Sequence, residues 1–258
     1  MGAEAGLLLV PLIAGVLVLL THLPLGEQVL KRGILFIDLA VAQLAALGAL
    51  LVQQWWPESG WITLTGSTLL AVLGASLAGA LVRCYPAHRE AVVGLLYAGA
   101  ACTLLLVLAS NPQASHLLAR SLNGDILWVG LSDLLPLAGL TLGFWILQWL
   151  KPGWLHSAAF YPCFALLVSQ SVPLLGVYLV FVTLIAPALV ARLAGGRLFA
   201  LLCGTGGYLL GLGLAWGLDW PAGATVVITL LAVSLAGLVM SALNRRYSGQ
   251  SSASSGNS

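Results

Sequence analysis

The residue best able to do chemistry in this chain is Asp38, an acid inside the apolar run Gly33-Ile-Leu-Phe-Ile-Asp-Leu-Ala-Val-Ala-Gln-Leu-Ala-Ala-Leu-Gly48. A carboxylate at the centre of a membrane helix costs about 2.5–3.5 kcal/mol. Such an acid usually faces the interior of a helical bundle or a water-filled pathway. Asp38 is therefore a candidate functional residue, and the movement of an ion or a proton is the chemistry it could serve.

Small residues follow Asp38 along one face of the expected helix. Positions four, seven and eleven residues further on are Ala42, Ala45 and Ala49, all of which share that face. A narrow wet path would use this pattern, and so would a neighbouring helix packed tightly over a hydrogen-bonded acid. Gln43 lies about 140° round a regular helix from Asp38, so the two side chains meet one ion only if the helix is broken.

The composition predicts a helical membrane protein. Of the 258 residues, 60% are hydrophobic and 7% are charged, whereas soluble domains carry about 25% charged residues. Apolar stretches of about 18 residues or more recur, which is enough to cross a hydrocarbon layer of about 30 Å. The pattern lacks the short alternating strands of a membrane β-barrel. We predict an all-α, polytopic transmembrane helical bundle with about 8–9 membrane segments.

The apolar runs divide the chain into predicted segments separated by short loops. The segments are 6–24, 33–53, 62–82, 91–110, 128–150, 158–172, 174–191, 199–217 and 223–243. The sixth and seventh flank Ser171-Val-Pro173, so they form either a tight hairpin or a re-entrant pair. Residues 1–247 are expected to form a single transmembrane domain, and residues 248–258 a disordered polar tail.

Basic residues predict the orientation in the membrane. Of the 10 Lys and Arg residues, only Arg120 falls on one side of this arrangement. The others share the opposite side: Lys31, Arg32, Arg83, Arg89, Lys151, Arg192, Arg197, Arg245 and Arg246. Because positive loops stay in the cytoplasm, the C-terminus is expected inside and the N-terminus outside. Tryptophans of the outer loops, including Trp61, Trp128 and Trp216, lie where an interfacial belt is expected.

Few other side chains carry chemistry. The chain contains no Walker A pattern and no visible catalytic constellation, so we expect it not to be an enzyme. His22 is predicted near the cytoplasmic end of the first helix, as an interfacial polar residue. His116 and Asp125, on an outer loop, could meet an incoming substrate or a donor protein. Small-residue pairs such as Gly207-xxx-Gly211 and Gly213-xxx-Gly217 favour close helix packing, either within the chain or between two copies.

Four blocks of the chain resemble the permease subunits of metal-ion ABC transporters, the zinc/manganese/iron (ABC-3) family. The segment from Val172 to Leu193, with Gly176, Pro187 and Arg192, is similar to that family's "VGxLLVxALLIxPAAxARL" block. The other three blocks come in family order. They are Arg32 to Gly48 ("R…GDxLxHAxLxG"), Glu90-Ala-Val-Val-Gly-Leu-Leu-Tyr97 ("ExxIGxxF") and Leu122-Asn-Gly-Asp-Ile-Leu-Trp-Val129 ("LfGdiLxv").

The resemblance implies a permease subunit of an ATP-binding-cassette importer for divalent metal ions in the bacterial inner membrane. The implied partners are a cytosolic ATP-binding subunit, a second copy of the permease and a periplasmic metal-binding protein. The metal would be the transported substrate, and no covalently bound cofactor is expected. The family's coupling helix falls at roughly 188–196, so the residues expected to couple to the ATPase are Pro187, Ala188, Ala191, Arg192 and Gly195.

The metal-ligand pattern departs from that of the family. Alignment on Arg32 and Gly48 puts Gln43 at the family's His, while Asp38 is displaced by one residue from its Asp. Asp38 and Gln43 are the candidate metal ligands along the pathway. A looser site, or a metal chelate as cargo, fits equally well, and oxygen ligands favour Mn²⁺ or Fe²⁺ over Zn²⁺. The rival hypotheses are a secondary transporter coupled to protons through Asp38 and a membrane scaffold without transport.

Overall fold

The protein is an all-helical membrane bundle, seen in a computed structural model that describes residues 2–53, 56, 60–109 and 126–254. Its α-helices among these residues are α1 (Gly2–Arg32), α2 (Ile37–Gln53), α3 (Gly60–Cys84), α4 (Arg89–Ala109), α5 (Leu131–Leu150), α6 (Phe160–Leu175), α7 (Val177–Val190), α8 (Gly196–Leu218) and α9 (Ala222–Ser254). Short 3₁₀ turns lie at Pro86–His88, Ile126–Trp128 and Trp154–His156, and a π-helical turn lies at Ala191–Gly195. The predicted fold class is confirmed.

The apolar stretches are long enough to span a bilayer. Six stretches of the described residues qualify by length and composition, and α2 and α6 are shorter apolar helices. All nine predicted segments correspond to helices. The main difference lies in α1, which was expected to end near residue 24 and instead ends at Arg32. Helix α9 continues to Ser254, and the division into a domain and a disordered tail stays a prediction.

The helices pack as two groups that meet where α6 contacts α1 and α7. Helices α2, α3, α4 and α6 pack together, while α1, α7, α8 and α9 form the other group and α5 lies against α1. The pair Gly207 and Gly211 brings α8 against Val226 and Leu230 of α9. This small-residue pair therefore works within the chain. Gly213 has no neighbouring heavy atom within 4 Å of the position a Cβ would take.

One end of the bundle gathers the loops rich in basic residues, and we call it the basic end. Arg32, at the end of α1, donates hydrogen bonds from Nη2 to the carbonyls of Leu155 at 2.7 Å and Ser157 at 3.2 Å. Its guanidinium carbon lies 4.5 Å from the ring centroid of Phe160. Arg89 donates to the Arg32 carbonyl at 3.4 Å. The three loops that contain Arg32, Arg89 and Leu155 were predicted on one side of the membrane, and they meet at one end of the bundle. The cytoplasmic location of this end stays a prediction.

The opposite end carries exposed tryptophans. Trp61 and Trp128 are 79% and 82% exposed, and Trp216 and Trp220 are also exposed. These are positions of the predicted interfacial belt. Trp149, at the end of α5, is exposed at the basic end. Aromatic side chains therefore mark both ends of the bundle, as in membrane proteins generally.

Helices α6 and α7 meet at a sharp turn centred on Gly176. This residue has φ 85° and ψ 156°, a conformation open to glycine and strongly disfavoured for L side chains. Helix α6 then packs on α2 and α3, and α7 packs on α1 and α8. Both helices have their other ends at the basic end, so the predicted sidedness of the flanking loops holds. The 16 residues of α6 span about 24 Å, somewhat less than a full hydrocarbon layer.

Candidate functional site

Asp38 lies in the first turn of α2 and is completely buried. Neither carboxylate oxygen has a hydrogen-bond partner among the residues that the structure describes. The contrast is Asp133, also in the first turn of a helix, whose Oδ2 accepts a hydrogen bond from the Gly130 N–H at 2.9 Å. Asp133 thus caps α5, whereas Asp38 caps nothing. A buried acid without a partner is costly, which favours a role other than stabilising the fold.

The alanines that follow Asp38 lead to a cavity. Ala42 and Ala45 are buried, and Ala45 and Ala49 line a cavity of about 310 Å³ enclosed by α2, α3, α4 and α6. Its other lining residues are Ala46, Leu50, Gln53, Gly60, Thr63, Leu64, Ser67, Leu104, Ser169, Val172 and Pro173. Gln53 and Gly60 end α2 and begin α3 opposite the basic end. The cavity therefore enters from the tryptophan-rich end and follows the predicted face of α2.

The cavity stops short of Asp38. Ala45 is seven residues beyond Asp38, which corresponds to about 10 Å along a helix axis. The intervening face is closed by Ala42, which is 1% exposed. On the walls facing α2, Ser67 of α3 and Ser169 of α6 line the cavity, and Ser169 donates to the Leu166 carbonyl at 3.0 Å. Next to these lining residues in the chain, Gln170 donates a hydrogen bond from Nε2 to Thr68 Oγ1 at 2.9 Å. The cavity thus offers oxygen atoms on α3 and α6, with the carboxylate sealed beyond its inner end.

Gln43 does not join Asp38. Helix α2 is continuous from Ile37 to Gln53, so residues five apart differ by about 140° in direction. Asp38 is fully buried, whereas Gln43 is only half-buried. Their proposed role as ligands of one transported ion stays a prediction. No group of three or more His, Cys, Asp and Glu side chains within the described ranges could hold a metal ion.

The histidines are separate from this face. His22 was expected near the end of the first helix, and this was wrong because α1 continues for ten more residues, to Arg32. Its ring is completely buried, with Nδ1 3.0 Å from the Val18 carbonyl and Nε2 without a partner among the described residues. His156 is exposed at the basic end, 3.4 Å from the Gln28 amide. His116 and Asp125 lie outside the described residues.

The segment predicted to couple to an ATPase is divided between the core and the surface. Pro187 and Ala188 are buried within α7, which continues through the proline to Val190. The separate element begins at Ala191 instead of Ala188, as the π-helical turn Ala191–Gly195. Ala191 is half-buried, and Arg192 and Gly195 are exposed. Of the predicted coupling residues, Arg192 and Gly195 are the exposed ones, and the coupling role of all five stays a prediction.

Sequence reasoning missed the ion pair beside this turn. Arg197, at the start of α8, donates to both carboxylate oxygens of Glu27, with Nε–Oε1 at 3.0 Å and Nη2–Oε2 at 2.7 Å. The two residues are 170 positions apart, so no local pattern points to their contact. The polar position in α6 could have been found from the sequence, because the consecutive polar residues Ser169 and Gln170 interrupt an otherwise apolar helix.

Comparison with known proteins identifies the fold. No protein-family model and no curated protein matches the chain. A solved structure does match: PsaBC from Streptococcus pneumoniae in complex with Fab, with a TM-score of 0.69 over 90% of this chain and 90% of that chain. This chain has the PsaBC fold. Because the two sequences are only 19% identical, the likeness to PsaBC concerns the fold alone.

Proposed function

We propose that the chain is the permease subunit of an ATP-binding-cassette importer for divalent metal ions of the Zn/Mn/Fe class. The observation that carries the proposal is the resemblance of four sequence blocks, in family order, to the permease subunits of metal-ion ABC transporters. The fold match to PsaBC from Streptococcus pneumoniae extends along 90% of both chains and supports the proposal at the level of the fold. ATP would be hydrolysed by a separate cytosolic subunit, with a second permease copy and a periplasmic metal-binding protein completing the assembly in the inner membrane.

The transport path follows one face of α2. Substrate enters the cavity of about 310 Å³ from the tryptophan-rich end, passing Gln53 and Ser67 on its way to Ala45. Asp38 lies about 10 Å further along the same face and attracts the positive charge of the ion. In this state, the small side chain of Ala42 closes the way between them. A cycle of transport therefore requires a rearrangement that joins the cavity to Asp38 and later opens the basic end.

The cargo keeps much of its own coordination shell. Asp38 supplies at most two oxygens, whereas Mn²⁺ and similar hard ions prefer about six oxygen ligands. Water, a chelating molecule or the second copy of the permease must provide the remainder. This arrangement favours weak, transient binding, which suits a substrate that has to leave. It favours Mn²⁺ or Fe²⁺ over Zn²⁺, since Zn²⁺ prefers nitrogen and sulfur ligands.

The turn Ala191–Gly195 is the proposed contact for the ATP-binding subunit. It is exposed at the basic end, and π-helical turns often occur at functional positions. Because α7 packs on α1 and α8, a push on this turn would be transmitted to the centre of the bundle. Arg192 and Gly195 are the predicted coupling residues that reach the surface.

The first experiment is purification of the chain from its native membrane, followed by mass spectrometry of bound proteins and metals. Recovery of an ATP-binding subunit whose ATPase activity rises with added Mn²⁺ would support the proposal. An ATPase unaffected by Mn²⁺, Fe²⁺ or Zn²⁺ but stimulated by a metal chelate would change the cargo only. Capture of the chain alone, with flux in liposomes that follows a proton gradient, would contradict it.

The proton-coupled alternative has one observation in its favour. A fully buried carboxyl without a hydrogen-bond partner, as at Asp38, is typical of proton-carrying sites in transporters. The two hypotheses differ in their energy source. Proton-driven flux survives the removal of ATP and collapses with a protonophore, whereas ATP-driven import behaves in the opposite way.

A further inference from the structure

A second cavity, distinct from the one along α2, lies at the basic end. It has a volume of about 240 Å³ and is lined by Glu27, Lys31 and Arg192. Glu27 and Lys31 are on successive turns near the end of α1, and Arg192 comes from the π-helical turn after α7. We call this cavity the basic cleft. Its lining converges from two separate parts of the chain.

The charge of the basic cleft is positive. Glu27 is occupied by Arg197 through two parallel hydrogen bonds, at 3.0 and 2.7 Å, the bidentate geometry that neutralises a carboxylate most completely. Lys31 and Arg192 are both exposed and have no ion-pair partner among the described residues. These two cations therefore face the cleft without an anion, and an anionic ligand would neutralise their charge.

The cleft lies at the level of lipid headgroups. Arg197, which borders it through Glu27, and the exposed Trp216 are on the same helix, α8, 19 positions apart. At 1.5 Å per residue these positions are about 28 Å apart, close to the thickness of the hydrocarbon layer. With Trp216 in the predicted interfacial belt at one end, this spacing puts Arg197 and the cleft near the opposite interface.

Exposed leucines follow Arg197 along α8. Leu198 and Leu202 are 73% and 64% exposed and, being four residues apart, lie on one face of the helix. Leu193, within the π-helical turn, is 49% exposed. A ligand with a negative headgroup and an acyl chain would contact both the cations and this apolar surface.

We propose that the basic cleft binds the phosphate headgroup of an anionic membrane lipid, with Lys31 and Arg192 as its ligands. Basic pockets between helices on the cytoplasmic side are suited to such headgroups. The proposal does not depend on the transport function, because it concerns only the position, charge and apolar surroundings of this cleft. An acidic side chain of a partner protein would satisfy the two cations, but it would not use the leucines on the bilayer side.

The test is native mass spectrometry of the full chain in detergent, titrated with phosphatidylglycerol or phosphatidylcholine of identical acyl chains. We expect one phosphatidylglycerol to bind at least about tenfold more tightly than phosphatidylcholine. The double variant Lys31→Gln/Arg192→Gln should weaken this binding about 25-fold, since each cation contributes about fivefold. Lys151→Gln is the matched control, because Lys151 is exposed at the same end and does not line the cleft. Its binding should stay within about twofold of the parent.

A second variant keeps the test informative if the double variant fails to fold. Glu27→Gln removes the carboxylate and frees Arg197, so it should bind phosphatidylglycerol more tightly than the parent. Equal affinities for the two lipids, or equal weakening in the double variant and in Lys151→Gln, would overturn the proposal. Inorganic phosphate binding as tightly as phosphatidylglycerol would reassign the cleft to a soluble anion. Loss of a bound ATP-binding subunit in the double variant, with lipid binding intact, would reassign it to a protein contact.

Discussion

Replacing Asp38 by alanine is expected to stabilise the fold and to abolish transport. The two effects have one cause: this carboxylate is completely buried and has no hydrogen-bond partner among the described residues. Its desolvation is therefore not offset by contacts in the folded protein. An acid that destabilises the folded protein in this way is expected to have a functional role. The opposite result, a loss of stability, is what an ordinary structural acid gives on truncation.

The magnitude follows from three opposing contributions. A buried carboxylate without a hydrogen-bond partner costs about 3 kcal/mol, which alanine removes. The helix dipole at the start of α2 stabilises a negative charge by about 0.5–1 kcal/mol, and the alanine variant loses this stabilisation. Truncation also leaves a void of about one carboxyl group, costing about 1 kcal/mol. The net change is a stabilisation of about 1 kcal/mol, or a rise of about 3 °C in the unfolding temperature.

The assay combines thermal unfolding in detergent with metal uptake into cells at matched protein level. Asp133→Ala is the control, because Asp133 also lies in the first turn of its helix, α5, but caps it through the Gly130 N–H. Losing that cap should cost about 1 kcal/mol and leave uptake by the folded fraction intact. If Asp38→Ala is destabilised as much as Asp133→Ala, Asp38 has a structural partner. If its uptake is unchanged, Asp38 does not lie on the path.

Three further substitutions test the cavity, the α6–α7 turn and the basic end. Ala49→Leu should fill part of the cavity and lower uptake at least about tenfold in a stable protein. The control Ala98→Leu, on an exposed face of α4, should leave uptake unchanged. Equal uptake by the two variants would exclude the cavity from the path. Gly176→Ala forces a side chain to φ 85° and should lower the free energy of unfolding, measured by thermal unfolding, by about 1–2 kcal/mol. The control Gly213→Ala, with open space around it, should leave this free energy unchanged. Equal melting temperatures for the two variants would contradict the assigned turn. Arg32→Lys keeps the charge and loses the planar fork that donates to two loop carbonyls, so proteolysis of the 151–159 loop should accelerate; unchanged proteolysis would show that this loop is held by other contacts.

The sequence predicts helices well here because hydrophobicity alone decides membrane insertion. Each predicted apolar segment corresponds to a helix, and the basic loop residues that the structure describes, such as Arg32, Arg89 and Lys151, lie at one end. Arg120 lies outside the described residues. The end of α1 was missed for a physical reason. Glu27 and Gln28 were read as loop residues, but the folded chain gives Glu27 an arginine partner and buries Gln28 to 4% exposure. Polar residues continue a membrane helix when a distant part of the chain satisfies them.

The candidate site was only partly predictable. The face from Asp38 to Ala49 follows from helical periodicity, and that face does lead into the cavity. The cavity itself depends on α3, α4 and α6, whose arrangement around α2 is a matter of tertiary packing. The proline at 187 indicated a helix end, yet α7 continues to Val190. A proline removes one backbone hydrogen bond, and packing on both sides of Pro187 holds the remaining turn in place.

The position of the cavity limits how the path can open. Helices α2 and α3 approach so closely at Gly48 that a Cβ there would clash with the Gly66 carbonyl oxygen. Two backbones in contact at this point cannot slide past each other freely, so α2 and α3 are expected to move as a pair. The cavity's other walls, α4 and α6, contribute Leu104 and Ser169. We therefore expect the proposed path from the cavity to Asp38 to open by movement of the α2–α3 pair against α6 and not by separation of α2 from α3.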